Sequence, residues 1–222
     1  MDRANHSRDC FEASVSISPN HVALVDGERQ WTYQSLLEHV DKLAAGFQST
    51  LNLKSGDKVV LHLPNIGEFY ISFFALLKIG VQPVLALPAH RYSEIRYFCH
   101  FTQAKALITA PQLGVDTADI ALQVASELPS LKNIVWAGDM RAMPIGSVAL
   151  RALLLDNVEP QVHRGEDFAF FQLSGGKRLA HLSLFLAHIT TIYTVCERAM
   201  RFANSRQIRV TFVFYLPPTI SH

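Results

Sequence analysis

Apolar and polar positions along residues 21–136 follow two periods in turn. Residues 21–26 (HVALVD) and 31–33 (WTY) read as two short strands around a Gly-containing turn, which predicts a hairpin. After Thr32, apolar residues recur at Leu36, Val40, Leu43, Ala44 and Phe47, the three- and four-residue spacing of an amphipathic helix that ends before the Lys54-Ser55-Gly56-Asp57 turn. Residues 58–63 (KVVLHL) form a short apolar run between that turn and Pro64-Asn65, as a buried parallel strand does. From 68 to 79 the chain is apolar nearly all round and stops at Gly80, a natural residue after a helix end, so a buried crossover helix is expected.

The same alternation continues. Strands are predicted at 81–87, 106–109 and 133–136, and helices at 92–102, opened near Ser93, and at 118–127. Strand and helix taking turns at this spacing is the pattern of βαβ units, and it predicts an α/β domain with a mostly parallel sheet flanked by helices. The aromatic run from Phe69 to Phe74 belongs to the core of its helix rather than to a ligand platform, because all faces of that segment are apolar.

Residues 167–176 read DFAFFQLSGG, an apolar strand run into Ser174, Gly175 and Gly176. Glycines let backbone N–H groups approach phosphate oxygens and a hydroxyl adds a donor, so this is a plausible opening of an anion cradle; an ordinary strand-end turn uses the same residues. The wider sequence favours the cradle. The stretches 21–47 (HVALVDGERQWTYQSLLEHVDKLAAGF), 56–95 (GDKVVLHLPNIGEFYISFFALLKIGVQPVLALPAHRYSEI) and 170–176 (FFQLSGG) resemble the N-terminal domain of the acyl-adenylate-forming, AMP-binding enzymes. Within that family they resemble the 2,3-dihydroxybenzoate–AMP ligases of catechol siderophore biosynthesis, over roughly residues 11 to 176.

The resemblance implies a partial adenylation domain and a reaction of an aryl acid with ATP and Mg²⁺ to give an acyl-adenylate and pyrophosphate. The acyl group then passes to a phosphopantetheine thiol on an aryl-carrier domain. It also implies nucleotide binding at Ser174, Gly175 and Gly176. In the family the active site lies between a large N-terminal and a small C-terminal domain, and the latter brings a catalytic lysine. No catalytic residue of the family maps onto this chain.

After Gly176 the chain departs from the family, whose loop continues TTGTPKLIPRTHNDY; here the sequence reads KRLAHLSLFLAHITTIYTVCERAM, and Lys177 falls at the wrong spacing to replace the loop lysine. Joining the third base of each codon from Ala180 to Thr191 with the first two of the next permits the reading TPKLIPRTHNDY. The same offset from Arg209 to His222 permits RYLCVLPAAHNFP, again family-like. Residues from about 177 onward are therefore expected to be a frameshifted translation, from a net loss of one base or gain of two near codon 177. Three segments follow: 1–20, a partial AMP-binding domain over 21–176, and an out-of-frame tail over 177–222 with no native fold. A helix over about 179–203 and a strand over 208–216 are the most its apolar pattern would draw. The chain alone is expected to be inactive and, with sheet neighbours missing, poorly soluble. A noncatalytic α/β unit that at most binds a nucleotide or a partner is the alternative.

Charge fits the break. Residues 1–176 carry 14 basic and 18 acidic side chains, whereas 177–222 carry 6 basic and a single acidic one, Glu197. Overall the 222 residues are 49% hydrophobic and 18% charged with net charge +1, which excludes a disordered polyelectrolyte and gives no positive field for nucleic acid. Cys10, Cys99 and Cys196 form no CxxC pair, and Cys99 has no adjacent base, so a reducing, cytoplasmic setting and no catalytic thiol are expected. Ten histidines form neither HExxH nor a His/Cys pair, so His62 and His90 read as packing or surface residues and no metal site is expected. Leu173-Ser174-Gly175 lacks the glycine that a GxSxG hydrolase elbow needs. No run approaches the roughly eighteen apolar residues of a membrane span.

Overall fold

The computed structural model describes residues 14–112, 114–163, 170–173 and 184–187. A helical turn at 14–17 carries Val15 into the core. β1 (Val22–Asp26) and β2 (Arg29–Thr32) pair antiparallel, and Gly27 turns between them at φ +60°, in the left-handed region that suits glycine. Thr32 then caps α1 (Tyr33–Ser49): its hydroxyl accepts the Ser35 N–H at 3.2 Å, satisfying one orphan donor of the first turn. The whole stripe Leu36, Val40, Leu43, Ala44 and Phe47 is buried, as its spacing requires.

The main sheet is built from β3 (Lys58–His62), β4 (Gln82–Leu85), β5 (Ala106–Thr109), β6 (Asn133–Trp136), β7 (Val148–Ala149), β8 (Phe170–Leu173) and β9 (Leu184–Ala187). Its order is β7-β6-β5-β3-β4-β8-β9, parallel at every pair except β8–β9. The crossover helices are α2 (Gly67–Lys78) between β3 and β4, α3 (Tyr92–Thr102) between β4 and β5, and α4 (Thr117–Glu127) between β5 and β6. Alternation along the strands sorts them onto two faces. Val59, Leu61, Ala106 and Ile108 pack with α1, α2 and the hairpin, while Val60, Val84 and Leu107 pack with Ile95, Phe98, Ala121 and Val124 of α3 and α4.

The sequence reading meets these elements within two residues at most ends. α3 spans Tyr92–Thr102, the range expected, and the Glu94 carboxylate accepts the Arg91 N–H at 3.1 Å and fixes its first turn. β7 and the 3₁₀ turns Met140–Ala142 and Leu150–Leu153 were too short to leave a periodic signal. The tail differs as well: residues 184–187 form β9, antiparallel to β8, rather than part of a helix over 179–203. An open edge at β8 offers backbone partners to a neighbouring apolar segment, and this outweighs the weak helical spacing there. The strand expected over 208–216 lies outside the described residues.

Between β7 and β8 the chain must return across the α1/α2 face. Residues 155–163 do this as a strap: Leu155 N donates to the Lys42 carbonyl at 3.3 Å, Lys42 pairs with Asp156 at 2.6 Å, and His163 N donates to the Lys78 carbonyl at 3.0 Å. Beneath the strap Lys78 of α2, almost buried, is paired with Asp41 of α1.

Candidate functional site

In an open parallel sheet the loops leaving the carboxyl ends of neighbouring strands part where their helices go to opposite faces, and the crevice so formed is where ligands bind. Here that point is β3. Its exit runs to α2 on one face, while β4 and β5 on either side exit to α3 and α4 on the other.

His62 ends β3 at this point and is completely buried. Its Nδ1 lies 3.5 Å from the Thr109 hydroxyl, the register partner on β5, and its carbonyl accepts from Gln112 Nε2 at 3.0 Å. Across β4, His90 Nδ1 accepts the Leu87 N–H at 3.0 Å and its ring meets Phe98 edge-on at 5.2 Å between centroids. Burial pushes His62 down to about 4, helped by the nearby His90 ring and opposed by the Pro88 carbonyl; burial also lowers His90. His62 is therefore a neutral hydrogen-bonding ring at pH 7 and a poor general base. Among the described residues, His62 Nε2 and Gln112 Oε1 are both buried without a hydrogen-bond partner. The sequence showed His62 as a lone histidine; Thr109 and Gln112 join it only through sheet register and a loop, which no linear motif records.

β8 runs parallel to β4, with Phe171 opposite Val84, so its carboxyl end faces the same edge as the end of β3. From Leu173 the chain continues into Ser174, Gly175 and Gly176, the three sequence-predicted nucleotide-binding residues, which lie outside the described residues. β8 is seated by Phe170, which is fully buried and meets Phe73 of α2 edge-on at 5.5 Å.

Other candidates are settled by their surroundings. Cys99 is buried and its thiol is pushed up to about 12 by that burial, which makes it inert; Cys10 and Cys196 lie outside the described residues. Among the described residues no group of three or more His, Cys, Asp or Glu gathers as a metal site would, and no helix is long and apolar enough to cross a membrane.

With the parallel sheet and the strand into Ser-Gly-Gly in place, comparison with known proteins is direct. The AMP-binding enzyme family model matches residues 11–176, and the chain belongs to that family. It is 42% identical over 174 residues to the vibriobactin-specific 2,3-dihydroxybenzoate-AMP ligase of Vibrio cholerae, covering 76% of this chain and 31% of that one. It is 43% identical over 159 residues to the 2,3-dihydroxybenzoate-AMP ligase of Bacillus subtilis, covering 71% and 28%. The chain thus spans about a third of the length of these curated relatives. Among solved structures, apo MbtA of Mycobacterium smegmatis aligns with a TM-score of 0.67 and 27% identity over 76% of this chain and 31% of that one. The anthranilate CoA ligase AuaEII, solved with anthranoyl-AMP, shares the fold at TM-score 0.64 and 20% identity, over 76% and 31%.

Proposed function

We propose that residues 21–176 are the first part of an adenylation domain whose complete form joins 2,3-dihydroxybenzoate to AMP. In that reaction a carboxylate oxygen of the aryl acid attacks the α-phosphorus of ATP, the bond to the β-phosphate oxygen breaks, and pyrophosphate leaves; the acyl group then moves to a carrier-domain thiol. The observation that carries this reading is the placement of β8 parallel to and beside β4, so that Leu173 ends at the carboxyl edge of the parallel sheet, where anions bind; Ser174-Gly175-Gly176 follow it in the sequence. Two 2,3-dihydroxybenzoate-AMP ligases at 42% and 43% identity support the substrate. Ser174, Gly175 and Gly176 would hold ATP phosphates through backbone N–H groups and the Ser174 hydroxyl. Mg²⁺, which the family implies, would be held chiefly by those phosphate oxygens. The setting is the cytoplasm, where ATP is available.

The family match stops at Gly176, and the sequence beyond it lacks the Thr/Gly-rich continuation and its lysine. This favours a change of reading frame near codon 177 and a chain that does not itself catalyse adenylation; on that reading it is a noncatalytic α/β unit that at most binds a nucleotide. ATP–pyrophosphate exchange with 2,3-dihydroxybenzoate is the test. No exchange above a blank without acid is expected from this chain, and exchange would restore the enzyme reading to it. Sequencing the DNA around codon 177 tests the frame directly: a family-like frame beneath the tail is expected, and its absence would refute the shift.

A further inference from the structure

The two-stranded unit β8–β9 is attached to the rest of the sheet by little backbone. Among the described residues β3 shares four register pairs with β4 and four with β5, and β5 shares four with β6, whereas β8 shares a single one with β4, Val84 with Phe171. Within the unit β8 and β9 share four, from Phe170 with Ala187 to Leu173 with Leu184, so the two strands hold each other more firmly than they hold the body. Residues 174–183 join them in the sequence, and Ser174, Gly175 and Gly176 come first among these. Whatever fixes β8 on the body therefore fixes where those three residues begin.

With so short a ladder, side chains supply the seat. Successive strand residues point to opposite faces. Phe171 is half-buried against the cluster of Val60, Ile95 and Phe98 under α3, and Phe170 is fully buried on the α1/α2 face. There Phe170 meets Phe73 of α2 at 5.5 Å between ring centroids with the planes at 71°, an edge-to-face contact. Phe73 is held in its turn. Phe69, one helical turn earlier, stacks on it at 6.2 Å with the planes 8° apart, and Phe74 meets it edge-on at 5.6 Å. Removing the Phe73 ring would leave a gap beside Phe170 into which β8 could shift.

We infer that Phe73 is the positioning residue for Ser174-Gly175-Gly176: through Phe170, four residues before Ser174, it sets the place from which their backbone N–H groups meet the ATP phosphates. The ligand in this inference rests on the adenylation reading; the seat does not. An extended strand has no slack, so a shift of about 1 Å at Phe170 reaches Leu173 undiminished, and errors of that size are large for groups that must meet a reacting phosphate. Phe73 is 6% exposed, inside the core, and acts only through Phe170.

Amide hydrogen exchange of the full chain tests the seat. Phe73→Leu is expected to quicken exchange at 170–173 about fivefold or more, while β3 and β5 amides exchange as in the parent. Ile71→Val removes packing from the same helix on another flank, where Ile71 lines a cleft with Trp31 and Leu150, and should leave 170–173 protected. Unchanged exchange at 170–173 in Phe73→Leu, or an equal quickening in Ile71→Val, overturns the inference. Should Phe73→Leu lose protection throughout the chain, Phe170→Leu decides, because it removes the same contact from the other side: loss confined to 170–173 supports the seat, and any other pattern overturns it. The link to ATP is read by ATP–pyrophosphate exchange in the product of a gene repaired near codon 177. There Phe73→Leu should raise the KM for ATP about fivefold or more with the KM for 2,3-dihydroxybenzoate unchanged, and Phe73→Tyr, which keeps the ring, should recover the parent value. Both KM values rising together would overturn the link. A repaired parent without activity would refute the adenylation reading and leave the amide measurements to decide the seat.

Discussion

The side-chain amide of Gln48 pairs with the backbone of Gln161 as one strand pairs with another: Nε2 donates to the Gln161 carbonyl at 3.0 Å and Oε1 accepts the Gln161 N–H at 2.8 Å. Gln48 thus adds a two-bond clamp to the hold that Lys42, also of α1, has on the strap leading to β8. Replacing Gln48 with Ala removes both bonds, and because the site is exposed the loss should be about 1 kcal/mol or less. Replacing it with Glu keeps the acceptor but leaves no donor for the Gln161 carbonyl. Amide hydrogen exchange at Gln161 should quicken in both variants while β3 and β5 amides keep their protection; unchanged exchange at Gln161 would dismiss the clamp.

Gly46 of α1 faces the backbone of the 3₁₀ turn Leu150–Leu153, where an added Cβ would stand 1.8 Å from the Leu153 carbonyl oxygen. Backbone cannot swing aside as a side-chain tip can. Gly46→Ala, which would ordinarily strengthen a helix, should therefore destabilise by about 2 kcal/mol, read from the urea midpoint. A variant as stable as the parent would mean that the helix and turn can separate at little cost.

His62 makes stability depend on pH in a defined direction. Burial lowers it to about 4 from an ordinary value of 6.5. Above 6.5 the ring is neutral in folded and unfolded chains alike and contributes no slope. Between 6.5 and 4 only the unfolded chain takes up the proton, so stability falls as pH falls, by up to about 3 kcal/mol, and levels off below 4. His62→Gln cannot titrate. The difference between the two urea-unfolding curves across pH 7 to 4 should carry this slope, and parallel curves would refute it.

A compensating indel near codon 177 should write the Thr/Gly-rich loop and its lysine back after Gly176. If the downstream gene is intact, the restored product should show ATP–pyrophosphate exchange dependent on 2,3-dihydroxybenzoate. Exchange that remains absent after an in-frame repair, in a product that folds, would count against the proposed activity.

The sequence disclosed the sheet because its signals are local. Alternation places Val59 and Leu61 on one face and Val60 on the other, and Thr32 before an apolar stripe marks a helix start, so β3 and α1 were readable residue by residue. Ser174-Gly175-Gly176 was readable as a motif, and the family match ends there. What stayed hidden depends on register and crossover. Thr109 and Gln112 come to His62 through contacts between residues far apart in sequence that have no periodic trace. β7, two residues long, is defined only by its neighbour β6.

The place of β8 has a consequence for synthesis. β3, β4, β5 and β6 emerge in succession, and each of their pairings but one can close as soon as its own helix is made. The outer edge of β4 must wait for Phe171, after β5, β6, β7 and the strap have all been translated. Until then the emerging chain presents bare backbone amides and carbonyls beside the sheet's centre, and the loop that must close to cover them is the longest in the fold. A ribosome slowed before codon 170 would therefore hold the chain in its stickiest state, and a chaperone that shields strand edges would be needed most during that interval.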